Sequence, residues 1–367
     1  MATTSILNRY ISREFANAFF LSIAVFTFVL LVGNFIKLAE LIINKGVAFI
    51  YIAKLFFYLI PYLLSYTVPM AMLTATLISF GRLSSDNEIT AMRSLGISVM
   101  KIASPVLVLG FLVSLLLVPL NNTLIANSHF ASRRTLKEIG IRSPSAYIEA
   151  GTFVKDFEGY IIFVHEVKGN KLKNIRIYQP QKDGPTRTIT ASEGEFITAA
   201  KKEIVKLKLI NGTSEEPDLN NPSSFYKLNF KTYYMTLNLQ DKPKLKKLEK
   251  KAREMSIKEI RAELKAMRKG GIEPEVLLSE LHKKFAMSFS AFLFVLIGIP
   301  LAIKAHRSEK SIGIGISFAL LVIYWVLLAG GTAFALKGSL APWIAIWLAN
   351  IAIGITGAIL LFNIMKR

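Results

Sequence analysis

The chain contains no cysteine among its 367 residues. This absence excludes disulfide bonds, thiolate metal sites and cysteine nucleophiles, although it does not identify a compartment. The sequence also lacks the phosphate-binding motif G-x-x-x-x-G-K-[ST], the zinc motif H-E-x-x-H and the nucleophile motif G-x-S-x-G. A chain without the first of these motifs has no phosphate-binding loop of its own for ATP.

Histidine and buried charge are also scarce. The four histidines are scattered along the chain, at His129, His165, His282 and His306. Because metal sites need clustered donors, we expect these to be surface or interface residues, and we predict neither a metal nor a cofactor. The long apolar runs hold almost no ionisable residue, whereas proton- or ion-coupled carriers usually keep one there. Any driving force is therefore expected to come from a partner protein.

Apolar residues, by contrast, are abundant. Hydrophobic residues make up 52% of the chain, and the mean hydropathy is +0.44. A soluble domain rarely carries so much apolar surface, so the composition indicates a membrane protein. The net charge of +20 is explained by lysine and arginine at span ends and in an extramembrane domain. No RNP, zinc-finger or helix-turn-helix pattern accompanies the charge, so nucleic-acid binding is not expected.

Six apolar runs are long enough to span a bilayer, which takes about 20 residues. Pro119 and the polar pair Asn121-Asn122 are predicted to close the third of them. The predicted spans are Phe15–Ile36, Tyr51–Phe80, Val99–Leu120, Phe285–Ile303, Ile312–Phe334 and Trp343–Ile364.

A polar region separates the third span from the fourth. Short runs rich in β-branched and aromatic residues alternate there with turn signals such as Asn211-Gly212. These runs are Tyr160–Val167, Asn174–Tyr178, Ile204–Ile210 and Phe225–Leu239. We therefore predict an α-helical membrane protein with six transmembrane helices and an inserted all-β domain, a sandwich or jelly roll. Its parts are residues 1–128 (spans one to three), 129–245 (the β domain) and 246–367 (a linker helix and spans four to six).

The basic residues predict an orientation. With both termini inside, the inner segments hold ten lysine and arginine residues and the short outer loops hold four. The positive-inside rule then favours cytoplasmic N and C termini and a β domain on the far side of the membrane.

Arg82–Lys101 is a polar interruption between spans two and three, and residues 85–96 within it hold the predicted cytoplasmic helix. Ser85 and Glu88 have the spacing of an N-terminal capping box, and Gly96 is typical of a helix stop. We therefore predict a short helix over Asp86–Leu95. Its apolar residues fall on one side of the helix, with a cation beside them. That apolar side is expected to lie on the bilayer, to pack against its own chain or to dock into a partner. These residues are Ile89, Met92 and Leu95, with Arg93 next to them.

Three spans, a β domain and three further spans, in this order, resemble the LptF/LptG permease family of the lipopolysaccharide exporter. Three stretches carry the resemblance at residue level, and the second is the most specific. They are Asn8-Arg9-Tyr10-Ile11, Glu88–Ser98 (EITAMRSLGIS) and Gly298–Ile303 (GIPLAI). The resemblance covers essentially the whole chain.

The resemblance implies a non-catalytic, multi-pass permease of the cell inner membrane with a periplasmic β-jellyroll. Family members pair as an LptF–LptG heterodimer over an LptB-type ATPase dimer, and an LptC-type single-span protein joins them among the membrane lipids. Lipopolysaccharide enters from the outer leaflet of the inner membrane. ATP-driven closure of the cavity then passes it to the jellyroll, toward the outer membrane.

The resemblance also implies roles for particular residues. Those expected to couple to the ATPase are Glu88, Ile89, Met92, Arg93 and Leu95. Those expected to bind lipid are Lys37 and Lys45 near the outer end of span one, and Lys283 and Lys284 before span four. A simpler interpretation stays open for each group. Glu88 would only complete a helix cap, Arg93 would only follow the positive-inside rule, and the lysines would only anchor the chain at the headgroups.

Two other classes of function compete with the exporter. A mechanical or regulatory permease would couple a cytoplasmic ATPase to the periplasmic domain without moving lipid, and it would need no lipid-sized cavity. A membrane enzyme acting on lipids would need convergent histidine, acidic or serine side chains at the interface. We identify no such set in the sequence.

Overall fold

The structure is a computed structural model. It describes residues 2–43, 47–142, 150–157, 159–168, 171–181, 185–199, 204–218, 224–237, 250–269, 274–304 and 310–366. The chain divides into two compact units. One comprises Met1–Gly33, Leu59–Phe130 and Lys250–Arg367, and the other Asn34–Tyr58 and Ala131–Glu249.

The described part of the chain contains nine α-helices. They are α1 (Ala2–Ile43), α2 (Phe49–Ser85), α3 (Glu88–Ser94), α4 (Val99–Pro119), α5 (Ile125–Arg142), α6 (Ile257–Lys269), α7 (Glu275–Lys304), α8 (Lys310–Leu336) and α9 (Pro342–Lys366). Among the described residues, six helices are long and apolar enough to cross a membrane. They contain the six predicted spans, so this part of the prediction is confirmed.

Small residues let α7 pack closely in the centre of the first unit. A Cβ atom added at Gly357 of α9 would lie 3.0 Å from the backbone nitrogen of Ile297, and one added at Gly298 would lie 3.0 Å from Thr76 of α2. A Cβ atom at either position would force its neighbour to move by a few tenths of an ångström, so glycine allows the closest approach here. α7 therefore lies between α2 and α9, with Ile297 fully inside.

The sequence predicts that the third span closes at Pro119 and Asn121-Asn122, but the helix continues beyond them. A π-helical turn covers Leu120–Leu124, and α5 then continues the helix to Arg142. Proline removes one helical hydrogen bond, and a single π turn can absorb the resulting irregularity without ending the helix. Residues 129–142 are therefore helical, although the sequence assigns them to the β domain.

Six strands form one antiparallel sheet in the second unit. They are β1 (Phe153–Phe157), β2 (Tyr160–Lys168), β3 (Lys171–Gln179), β4 (Arg187–Ala199), β5 (Ile204–Pro217) and β6 (Phe225–Leu237). The all-β prediction is confirmed. Each described strand pairs with the next one along the chain, a simpler order than the crossovers of a sandwich or jelly roll. The sequence reasoning missed β1 and β4, because β4 interrupts its apolar residues with Ser, Glu and Gly.

In β3 the alternation of buried and exposed side chains is interrupted once, at Asn174. Leu172 is buried before this residue, and Ile175 and Ile177 are buried after it, so the pattern slips by one residue at Asn174. Asn174 and Asn211 have φ angles of 50° and 51°, in the left-handed region that asparagine tolerates better than most residues. This irregularity lets both halves of β3 turn apolar side chains toward one core.

Candidate functional site

The short helix α3 begins later than predicted. α2 continues to Ser85, whose hydroxyl donates to the Arg82 carbonyl at 3.0 Å, so Ser85 and Glu88 form no capping box. Asn87 precedes α3 in the left-handed region, with φ 58° and no side-chain capping bond. The predicted stop is confirmed, because Gly96 follows α3 with φ 82°.

The predicted apolar side of α3 is divided between two environments. Ile89 is only 3% exposed and Met92 packs against the same core, whereas Leu95 is 80% exposed. The prediction of one common stripe is therefore wrong, because Leu95 lies at the C-terminal cap, where the backbone has left the helix. Ile89 and Met92 anchor α3 to its own chain. Leu95 and the exposed Arg93 remain available to a partner.

Glu88 belongs to a polar group that we call the α3 cluster, made of Tyr10, Glu14, Arg82, Asp86 and Glu88. The Tyr10 hydroxyl lies 2.9 and 3.0 Å from the two carboxylate oxygens of Glu88. Arg82 donates to the Tyr10 oxygen at 3.1 Å, and its Nε lies 2.8 Å from Glu14. Its Nη1 lies 3.5 Å from Asp86 and 3.9 Å from Glu88. The cluster thus joins α1, the end of α2 and α3.

The sequence reasoning did not bring Tyr10, Glu14 and Arg82 to Glu88. Tyr10 lies 78 positions from Glu88. A weak signal was present, since Tyr10 and Glu14 share one face of α1 at four-residue spacing, and Arg82 in the last turn of α2 lies four residues before Asp86, which follows that helix. Only helix packing decides that these two faces meet.

A second polar group lines a cavity of about 70 Å³, which we call the basic cleft. It is lined by Tyr62, Ser65, Tyr66, Asn121, Ile125, His129, Arg253, Glu280, Lys283, Lys284 and Met287. The Tyr62 ring stacks edge-on against His129 at 4.7 Å between centroids. The Arg253 Nε lies 3.2 Å from Glu280, although the Arg253 side chain is 68% exposed. The cleft can offer cationic donors and ring edges to an anionic group.

The two neighbouring lysines predicted to bind lipid have different surroundings. Lys284 is only 8% exposed, and its ammonium donates to the Asn121 carbonyl in the π turn at 3.1 Å. The Asn121 side chain in turn donates to Ser288 at 2.8 Å. The Lys284 ammonium therefore has a partner inside the protein, and its predicted contact with lipid stays a prediction. Lys283 is half-buried at the cleft wall.

The remaining predicted lysines lie beyond what the structure describes. Lys37 belongs to α1, but its side chain is outside the described residues, and Lys45 lies outside them altogether. Within the described part of the chain, no three histidine or acidic residues gather closely enough to hold a metal ion.

The sheet carries a groove of about 710 Å³ with both polar and apolar residues in its walls. Its walls include His165, Asn174, Arg176, Thr190 and Ser192, and two of its hydroxyls, those of Thr190 and Thr213, are hydrogen-bonded at 2.7 Å. Phe163, Ile175 and Ala191 also line it, so the groove offers both hydrogen-bonding groups and apolar surface to a ligand.

Two helices of the first unit leave apolar surface uncovered. The most apolar window of α1 is only 6% buried, compared with 78% for that of α2. On α8, Phe318 is 69% exposed, and Cβ atoms added at Gly315 and Gly330 would meet no atom within 4 Å. Gly331 instead packs against Ala345 of α9. In a bilayer, α1 and α8 therefore offer faces to lipid or to another membrane protein.

Comparisons with known proteins bear on the whole of this arrangement. A family model described as "Lipopolysaccharide export system permease LptF/LptG" matches residues 9–363. An uncharacterized protein of Rickettsia prowazekii (strain Madrid E) is 22% identical over 289 residues, which cover 77% of this chain and 78% of that protein.

Proposed function

The chain belongs to the LptF/LptG permease family, and on this premise we propose that it is the transmembrane subunit of an ATP-driven lipopolysaccharide exporter. In this role it extracts lipopolysaccharide from the outer leaflet of the inner membrane and passes it to its periplasmic β domain, toward the outer membrane. The family match over residues 9–363 carries the proposal, because it includes the six spans and the β domain together.

Coupling to the ATPase is assigned to α3. The excess of lysine and arginine in the loops on its side of the membrane supports a cytoplasmic position, with both termini on the same side. The exposed Leu95 and Arg93 offer one apolar and one cationic contact to an LptB-type ATPase dimer, and the half-exposed Glu88 offers an anionic one. Ile89 and Met92 support this surface from the core side rather than forming it.

Lipid contact is assigned to cations at the periplasmic end of the spans. Lys283 in the basic cleft is the described candidate, and Lys37 and Lys45 are proposed from the sequence. An ammonium group can pair with a lipid phosphate as a point charge. The uncovered faces of α1 and α8 suit a sister permease, with lipopolysaccharide held between the two chains and an LptC-type single-span protein alongside.

The test is to purify the tagged chain from its native membrane in mild detergent and to identify bound proteins and lipids by mass spectrometry. We expect a P-loop ATPase, a sister permease and lipopolysaccharide. We expect Glu88→Lys to lose the ATPase, and Lys37→Glu to reduce the crosslinking of lipopolysaccharide. Glu215→Lys on β5, which makes the same charge change as Glu88→Lys, is the control and should retain both ligands.

Each other outcome has a defined meaning. Recovery of an ATPase without lipid would favour the mechanical permease over the exporter. Recovery of neither would contradict the coupling role of α3. Turnover of a lipid by the isolated chain would support the enzyme alternative.

A further inference from the structure

We propose that Tyr10 and Arg82 are positioning residues, which hold the Glu88 carboxylate and the start of α3 in the orientation that meets the ATPase. This inference rests on the proposed function, since it takes α3 to be the docking helix. It concerns residues of α1 and α2 that do not themselves belong to the docking surface.

Helix α3 needs such support because it is short. It has seven residues, and the residue before it, Asn87, makes no side-chain capping bond. Helices of this length are not stable by themselves in water, so tertiary contacts must set the direction of α3. The buried Ile89 supplies one anchor, on the core side. The α3 cluster supplies a second anchor at Glu88, one residue earlier in the chain.

The Tyr10 hydroxyl is the direct contact of this second anchor. It lies 2.9 Å from the nearer oxygen of Glu88, whereas Arg82 comes no closer to Glu88 than 3.9 Å. A tyrosine hydroxyl has one proton and can also accept a hydrogen bond. Because Arg82 donates to the Tyr10 oxygen at 3.1 Å, it occupies the accepting side and leaves the proton directed at Glu88.

Arg82 also compensates the charge of the α3 cluster. Three carboxylates, those of Glu14, Asp86 and Glu88, lie within 4 Å of its guanidinium. Like charges at this separation repel one another unless a cation lies between them. The planar guanidinium can serve several partners at once, which a lysine ammonium cannot do with the same geometry. Arg82 therefore acts on Glu88 mainly through Tyr10 and through the neighbouring charges.

The Glu88 carboxylate can accept hydrogen bonds from a partner while it is bonded to the Tyr10 hydroxyl. A carboxylate has about four lone-pair positions, and Tyr10 uses only part of them. A cationic group of the ATPase can therefore bind Glu88 without displacing the Tyr10 hydroxyl. The same hydroxyl links α1 to the docking helix, so these two helices should keep their relation when the ATPase binds.

A double-mutant cycle tests the positioning role. The full chain would be reconstituted in nanodiscs with its sister permease, and the dissociation constant of the purified ATPase would be measured for wild type, Tyr10→Phe, Glu88→Ala and the double variant. With Glu88 present, loss of the Tyr10 hydroxyl should weaken ATPase binding about 5- to 30-fold, since the lost hydrogen bond has a charged acceptor but is weakened by its exposure to solvent. In the Glu88→Ala background, the same change should have less than about a twofold effect.

Two further variants complete the design. Arg82→Lys keeps the charge but loses the planar geometry, and we expect it to weaken binding as Tyr10→Phe does. Tyr226→Phe on β6 is the matched control, because the Tyr226 hydroxyl also lies near a carboxylate, 3.3 Å from Asp218. The control should bind the ATPase like the wild type.

The outcomes separate this inference from the proposed function. Equal weakening by Tyr10→Phe in both backgrounds would mean that the tyrosine is merely structural, and it would overturn the positioning role. Strong weakening by Glu88→Ala with no effect of Tyr10→Phe would also overturn it, while leaving the docking role of α3 intact. Unchanged binding by Glu88→Ala would refute the docking contact of Glu88, and the positioning role with it.

Discussion

Replacement of Lys284 by methionine should destabilise the protein far more than the same replacement at Lys283. Methionine is close to lysine in length but cannot donate a hydrogen bond, so Lys284→Met removes the 3.1 Å contact with the Asn121 carbonyl. Lys283 is half-buried at the cleft wall, and Lys283→Met makes the same chemical change one residue away. The pair therefore compares a buried ammonium with a partly solvated one.

The expected magnitude follows from two opposing contributions. Loss of a hydrogen bond to a charged donor costs about 1.5–3 kcal/mol, and the Asn121 carbonyl in the π turn loses its side-chain donor. Part of this cost is offset, since an ammonium that is 8% exposed has lost most of its hydration and methionine has none to lose. We expect a net loss of about 2 kcal/mol, which lowers the folded-to-unfolded ratio about 30-fold. Lys283→Met should stay within about 0.5 kcal/mol of wild type.

The assay is denaturant titration of the purified chain in detergent, followed by near-ultraviolet circular dichroism. Lipopolysaccharide crosslinking would be measured on the same preparations. We expect Lys284→Met to shift the unfolding midpoint and Lys283→Met to reduce crosslinking without shifting it. A Lys284→Met protein that unfolds like wild type but no longer crosslinks lipid would refute the structural role, and it would support the lipid-binding role predicted from the sequence.

Three other predictions concern helix packing and pH. Gly357→Leu should destabilise the chain by about 1–3 kcal/mol, because its Cβ would lie 3.0 Å from the Ile297 nitrogen, and the unfolding midpoint measures this. A Cβ atom added at Gly315 would meet no atom within 4 Å, so Gly315→Leu should leave the unfolding midpoint unchanged and reduce the sister permease recovered by affinity purification; unchanged recovery would count against α8 as the interface. Lys250, at 2.6 Å, holds the pKa of the Glu259 carboxyl below its ordinary value. The ionised Glu259 carboxylate therefore stabilises the folded protein at pH values above its ordinary pKa, and this stabilisation is lost as the pH falls through the lowered pKa. Glu259→Gln should therefore reduce the dependence of unfolding free energy on pH in the acid range.

Local patterns were sufficient for most of the fold. Hydropathy runs of about 20 residues depend only on neighbours in sequence, and all six predicted spans lie within helices of the structure. The strands β2, β3, β5 and β6 were predicted because they are rich in β-branched and aromatic residues. Local patterns failed where a residue normally breaks a helix but is accommodated. Pro119 is followed by a π turn, and the helix continues to Arg142.

The sequence by itself determined the class of the protein, the existence of α3 and the presence of Glu88 in it, because these depend on composition and short spacings. Only the tertiary structure decided which charges meet. Lys284 reaches a carbonyl 163 positions away and Glu88 a hydroxyl 78 positions away, while Leu95 turns from the core that buries Ile89. The rotation of each helix about its axis selects these partners, and that rotation is set by the packing of all the helices together.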